Sequence, residues 1–338
     1  MIDVLDTAAV GDVAHLGHAE LLTPTPAETV AFFAEVMGME EVARAEQSVF
    51  LRGAADYERY CLKVTEAPGT GLGHLALRAA SAGALDRRVA AIEQSGLGGA
   101  WVDGDFGHGP AYRFTDPDGH PLEIYYETER YVPDEALRPV MVNQRQRQVG
   151  RGIGVRRLEH ANFFANDVAA CRRFMQERLG YRLREVIVRA DGSEFGAWLS
   201  ASIQGHEIIY VQEAPDAGRG RLHHIAFWVE TREEVLRAAD LMQDHRVFIE
   251  AGPAKHTPIH SFFLYVIEPG GNRVEVCSGG TVFFDPDGVP YVWTEAEYRR
   301  DPSWGFRFPE SFGTYGTPPP PGSGDAAPFG RPDRRGRG

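Results

Sequence analysis

RLEHANFFANDVAACRRFMQERLGYRLRE, residues 157–185, restates the pattern of HLGHAELLTPTPAETVAFFAEVMGMEEVA, residues 15–43. Each reads as a short alternating strand, a turn, an amphipathic helix ending near a glycine, and a second strand. Further along, GLGHLALR (71–78) returns as RLHHIAFW (221–228), and RFTDPDGHPLEIYYE (113–127) returns as YVIEPGGNRVEVCSG (265–279). The intervals agree as well: His18 to His74 is 56 residues and His160 to His224 is 64, while His74 to Glu123 is 49 and His224 to Glu275 is 51. Landmarks that recur in the same order at near-equal spacing imply an internal duplication.

Each half is therefore expected to form a βαβββ module. The second helices are ALDRRVAAIEQSGL and REEVLRAADLMQDHR, whose apolar residues recur at i, i+3, i+4 and i+7. The DPDG and EPGG turns introduce the last strand of each half. The expected fold class is α+β, two tandem βαβββ modules built on curled mixed sheets. The expected boundaries are residues 10–137 for the first domain, 138–152 (RPVMVNQRQRQVGRG) for a linker and 153–305 for the second domain. From 316 to 338 the chain is Pro/Gly-rich with few large apolar residues, so a disordered tail is expected.

Bulk properties narrow the function. The 338 residues suit about two domains. A net charge of -13, from 35 Lys+Arg against 48 Asp+Glu, argues against nucleic acid as a partner and favours a small molecule. Cys61, Cys171 and Cys277 are too few and scattered for a disulfide framework and read as reduced core thiols. With neither a signal-peptide pattern nor a long unbroken apolar run, a cytoplasmic protein without membrane association is expected.

Two histidines and a glutamate recur in each half, on segments that a curled sheet can bring onto one wall. Two imidazoles and one carboxylate make the facial triad that holds non-haem Fe(II) and leaves positions open. Zinc accepts the same donors, so ligand type alone leaves the metal undecided. The second half offers adjacent histidines, His223 and His224. Aligning GLGHLALR with RLHHIAFW pairs His74 with His224 and Gly73 with His223, which makes His224 the ligand; strand alternation then sends His223 to the opposite face.

The stretches LEHANFFANDV (158–168), GRLHHIAFWVETREEVLRAADL (220–241) and GPAKHTPIHSFFLYVIEPGGNRVEVCSGG (252–280) resemble type I extradiol ring-cleavage dioxygenases of the vicinal oxygen chelate (glyoxalase-like) superfamily. The chain is similar both to catechol 2,3-dioxygenases and to homoprotocatechuate 2,3-dioxygenases over roughly residues 10–305. That resemblance implies Fe(II), with Mn(II) as an alternative, held by His160, His224 and Glu275. It implies further that His206, eight residues after Trp198 in GAWLSASIQGH, is the acid/base, an imidazole being suited to moving protons near neutral pH. Tyr265 and His256 match substrate-pocket residues, and Asn162 matches an asparagine beside the dioxygen position. Trp198, His260 in KHTPIH and Arg299 in EYRRDPSWG are the expected substrate contacts, with Arg300 one residue away as the competing assignment.

Two departures qualify the resemblance. Where homoprotocatechuate enzymes carry an arginine for the substrate carboxylate, this chain has Ala251, which points to an uncharged or alkyl-substituted catechol. The first half keeps His18, His74 and Glu123 but lacks the Trp-x7-His element, so its site is expected to be vestigial, although His108 in FGHGPAYRF leaves a working first site open. The expected activity is extradiol cleavage of a catechol-type ring by O2 to a 2-hydroxymuconic-semialdehyde-type product, in a homo-oligomer for which the family suggests a tetramer. The alternative is a metal-dependent, non-redox isomerase or lyase on the same scaffold.

Overall fold

The computed structural model describes residues 10–318 except 149, 215, 286, 301 and 302. Alternating and β-branched runs in the first half give β1 (Val13–Thr23), β2 (Glu40–Ala45), β3 (Ser48–Arg52), β4 (Leu62–Glu66), β5 (Gly71–Ala79), β6 (Gly99–Val102), β7 (Ala111–Thr115) and β8 (Pro121–Tyr125). They form one mixed sheet in the order β2-β3-β4-β1-β5-β8-β7-β6. The second half repeats the scheme with β9 (Arg157–Ala165), β10 (Arg182–Val188), β11 (Glu194–Ser200), β12 (Ile208–Gln212), β13 (Leu222–Trp228), β14 (Phe248–Lys255), β15 (Ser261–Ile267), β16 (Arg273–Gly279) and β17 (Tyr291–Thr294). Their order is β14-β15-β16-β13-β9-β12-β11-β10-β17, the last strand being an addition with no counterpart in the first sheet.

Helices α1 (Pro26–Ala31), α2 (Ala82–Glu93), α3 (Val168–Leu179), α4 (Arg232–Asp244), α5 (Glu295–Arg300) and α6 (Glu310–Thr314) complete the described chain. Their ends follow local chemistry. Thr231 and Glu234 close a capping box on α4, Asp167 accepts from the Ala170 amide at the start of α3, and Gly180 ends α3 with φ 74°.

The two modules share one apolar core, joined where the rings of Phe33 and Phe227 meet at 5.8 Å. Each DPDG-type turn also reaches into the other module. Tyr210 donates to Asp116 at 2.8 Å and His120 Nε2 lies 2.8 Å from the Phe164 carbonyl, while Thr29 donates to Glu268 at 2.9 Å. The three cysteines are buried and unpaired.

The chain beyond residue 305 departs from expectation. Residues 306–317 are a strap across the second module rather than the start of a loose tail. Thr317 exchanges both backbone hydrogen bonds with Leu222, at 2.8 and 2.9 Å, and Gly316 and Thr317 are buried. Two buried arginines fasten it: Arg221 donates to the carbonyls of Thr314, Gly316 and Pro318, and Arg273 to those of Ser311 and Tyr315. Disorder expected from 316 is thus corrected for 316–318, because local composition says nothing of distant arginines; 319–338 lie outside the described residues.

Candidate active site

Register places the ligands. Ala226 on β13 faces His160 on β9 on one side and Glu275 on β16 on the other, so those three stand in a row across adjacent strands. His224, two residues before Ala226, comes onto the same face. The alanine at the centre of the row leaves the room that a larger side chain would fill.

All three ligand candidates are buried, and their tips converge. His160 Nε2 and His224 Nε2 are 2.9 Å apart, and Glu275 Oε2 is 3.1 Å from each. Both Glu275 oxygens are buried without a hydrogen-bond donor in acceptable geometry. The histidine tautomers explain why. His160 donates from Nδ1 to Glu159, and His224 Nδ1 lies 2.6 Å from His223 Nδ1, whose Nε2 in turn lies 2.9 Å from the Phe312 carbonyl. Since the carbonyl can only accept, His223 carries its proton on Nε2 and His224 carries its own on Nδ1. Both ligand Nε2 atoms therefore present lone pairs.

Two lone pairs and an orphaned carboxylate pointing at one spot fit a cation. Donors about 2.1 Å from a metal and at right angles to one another stand about 3.0 Å apart, close to the observed spacings and to one face of an octahedron. Burial opposes an imidazolium at His160, yet Glu275 and Glu159 on either side lift it to about 9, so without a cation the spot takes up a proton on His160 Nε2, which a bound metal would displace to free the lone pair. Burial lowers His224 to about 4 against the pull of Glu275. The spot favours positive charge.

His160 and His224 line a cavity of about 340 Å³, near the lower end of the roughly 300–1000 Å³ typical of small-molecule sites, with Glu275 buried behind them. The expected residues Asn162, Trp198, His206, His256, Tyr265 and Arg299 all line it. The His206 ring lies 4.2 Å from that of His160, and burial together with His160 pushes it down to about 3, which keeps it neutral. Tyr265 and His256 are hydrogen-bonded at 2.8 Å, and burial raises the Tyr265 phenol well above its usual range. The Asn162 carbonyl oxygen is buried without a donor. Arg299 sits at the rim, paired with Glu295 at 2.6 Å.

Two expectations are corrected. His260 is exposed and lies in a separate surface groove with Lys255, Arg300 and Trp304; Ile259 and His260, at φ 61° and 62°, turn its side chain out while Ile259 lines the cavity. His223 is not on the opposite face. A β-bulge between Leu222 and His224 inserts it as an extra residue, so strict alternation fails and its ring stays beside His224. The first module has the same bulge at Gly73, between Glu20 and Leu21, as the alignment of Gly73 with His223 requires.

The strap supplies what the sequence reading missed. Phe308 and Phe312 line the cavity and stack with ring centres 4.2 Å apart, Phe312 lying 4.8 Å from the Tyr265 ring. The three phenylalanines in FRFPESF, so close to the mapped domain, were the available signal. Ala251 is buried in this aromatic cluster, with Phe306, Phe308 and Phe312 around it.

Comparison with known proteins agrees with this geometry. The Glyoxalase/Bleomycin resistance protein/Dioxygenase superfamily matches residues 15–124 and again 157–276. A metapyrocatechase from Geobacillus stearothermophilus is 43% identical over 91% of this chain and 94% of its own length. A manganese-dependent 2,3-dihydroxybiphenyl 1,2-dioxygenase from Geobacillus genomosp. 3 is 33% identical over 87% and 94%. Among solved structures, a substrate complex of homoprotocatechuate 2,3-dioxygenase from Brevibacterium fuscum superposes with a TM-score of 0.81 at 25% identity, covering 93% of this chain and 96% of that one.

Proposed function

The chain belongs to the Glyoxalase/Bleomycin resistance protein/Dioxygenase superfamily and is one of its extradiol dioxygenases, and we propose that it opens uncharged or alkyl-substituted catechols at the His160–His224–Glu275 centre. The observation that carries this reading is the convergence of His160 Nε2 and His224 Nε2 on a buried Glu275 carboxylate that has no hydrogen-bond donor, at an aromatic-walled cavity that both histidines line. Fe(II) or Mn(II), held by His160, His224 and Glu275, would supply Lewis acidity toward a catechol and reactivity toward O2.

The chain's own side chains do the rest. His206, neutral and beside His160, would take the second catechol proton and hold it on a ring nitrogen for return during ring opening. Tyr265, hydrogen-bonded to His256, is the hydroxyl that would meet a substrate oxygen. Asn162, whose amide oxygen is buried and unpaired, would be the side chain beside bound dioxygen. Trp198, Phe308 and Phe312 hold the ring and exclude water, while Arg299 marks the outer end of the pocket. Apolar surroundings at Ala251 give a substrate carboxylate no partner there, which supports an uncharged ring substituent. A non-redox isomerase would leave His206 and the Tyr265–His256 pair idle.

The assembly is proposed to be a homo-oligomer, with a tetramer as the expectation. Edge strand β17 exposes Tyr291 and Val292, and Phe284 and Val289 beside it are 81% and 73% exposed, an apolar patch suited to a second copy. The proposed location is the cytoplasm, where free cysteines stay reduced. Among the described residues no helix is long and apolar enough to cross a membrane.

The test is oxygen uptake by enzyme reconstituted anaerobically with Fe(II) or Mn(II). Catechol and 3-methylcatechol should consume oxygen and give a yellow ring-opened product, with homoprotocatechuate a poorer substrate. Absence of uptake and colour with every catechol overturns the reading.

A further inference from the structure

The first module carries a second set of ligand-type side chains that this reaction does not use. Ala76 on β5 faces His18 on β1 and Glu123 on β8, with His74 two residues before it, repeating the row around Ala226. A fourth group joins them: His108, from the loop ahead of β7. His18 Nε2 and His74 Nε2 are 3.0 Å apart. Glu123 Oε1 lies 3.8 Å from each and 3.7 Å from His108 Nε2. All four residues are buried, Glu123 completely.

Hydrogen bonds fix where the lone pairs point. His74 Nδ1 lies 2.9 Å from the Glu20 carboxylate and His108 Nδ1 lies 2.9 Å from the Gly109 carbonyl. Both partners are acceptors, so both rings carry the proton on Nδ1 and turn a bare Nε2 toward Glu123. Neither His108 Nε2 nor Glu123 Oε1 has a hydrogen-bond partner, and both are buried. Two acceptors facing each other without a donor call for a cation between them. Arg113 binds the other oxygen, Oε2, at 2.7 Å and so leaves Oε1 as a single ligand atom. Glu20 stands behind His74 as carboxylates do behind metal-bound histidines; a Cβ at Gly73 would collide with it, which is why the bulge holds glycine here and His223 in the second module.

This set differs from the catalytic one in being closed. Tyr60 takes the place of His206, each being two residues before the strand that runs parallel to the first histidine strand, and Arg113 takes the place of Tyr265 opposite the glutamate. The rings of Tyr60, His108 and Tyr125 surround His18 at 4.6–5.5 Å. Four donors about 2.1 Å from a tetrahedral ion stand about 3.4 Å apart, and the His18–His74 spacing of 3.0 Å and the Glu123 spacings of 3.8, 3.8 and 3.7 Å to His18, His74 and His108 bracket that value. We propose that His18, His74, His108 and Glu123 form a closed, structural site for a divalent cation of the zinc type, distinct from the catalytic centre and independent of the reaction proposed for it.

The experiment uses the full chain with His160→Ala and His224→Ala, which removes the second-module site. After chelation, the folded variant is loaded with zinc alone, passed through gel filtration and analysed for metal. One equivalent of zinc should remain, and adding His74→Ala and His108→Ala should remove it. A folded variant that retains none, or that keeps its zinc after those additions, overturns the proposal. If the variant does not fold, wild-type chain loaded with zinc serves instead. Loss of one equivalent with His74→Ala and His108→Ala upholds the site, and a zinc content that those substitutions leave unchanged refutes it.

Discussion

His223 Nδ1 lies 2.6 Å from His224 Nδ1, so the two neighbouring imidazoles are one hydrogen-bonded unit that ends on the Phe312 carbonyl. This pair separates a ligand from the group that aims it. His224→Ala removes a donor and should abolish metal binding. His223→Ala should still bind metal at saturation, with affinity reduced about 10–100-fold, as for other partners of metal-bound histidines. Competition with a chelator measures both; full loss in His223→Ala alone would reverse the assignment.

His206→Asn should keep its metal and lose turnover by about 10²-fold, the order expected for a positioned acid/base. Metal analysis beside oxygen-uptake rates checks it. An unchanged rate would remove His206 from the proton path.

Ala226 sets the floor between His160 and Glu275. Ala226→Leu should fill that space and abolish metal binding, at an overpacking cost of about 1–3 kcal/mol. Ala226→Gly should bind metal normally. Circular dichroism and metal titration distinguish a blocked site from an unfolded chain.

Phe312→Ala should raise KM for catechol while leaving ring-opened product unchanged in kind. Its side chain is half-buried, so the stability loss should fall below the roughly 3–5 kcal/mol of a fully buried phenylalanine. Steady-state kinetics and a thermal melt read the two effects separately.

The inter-module turn gives a pH dependence away from the metal. Burial opposes charge on both Asp116 and His120, yet their mutual attraction and hydrogen bond lower Asp116 below 3.8 and raise His120 above 6.5. The His120 contribution is complete below 6.5 and is lost as pH rises through the elevated folded value; that of Asp116 is present above 3.8 and is lost as pH falls. The stability advantage of wild type over His120→Asn, the residue found at the matching position Asn272, should therefore be greatest near pH 5–6 and shrink by pH 9. Urea melts at several pH values test this; an advantage that grows with pH contradicts it.

The paired modules and the triad were legible because duplication writes their landmarks twice and strand spacing survives it, whereas His206, which Tyr60 replaces in the first half, was legible only through the family resemblance. Three features were not. The side of the strand taken by His223 depends on a bulge, which alternation cannot foresee. The direction of His260 depends on two successive left-handed residues, neither of them glycine. The strap depends on Arg221 and Arg273, far from it in sequence, whose need for buried acceptors is met by its carbonyls.

Phe312 faces two ways. Its ring is part of the wall that a substrate presses, and its carbonyl ends the hydrogen-bond relay to His224. Because ring and carbonyl belong to one residue, a shift of the strap backbone at Phe312 would disturb the cavity wall and the histidine relay together.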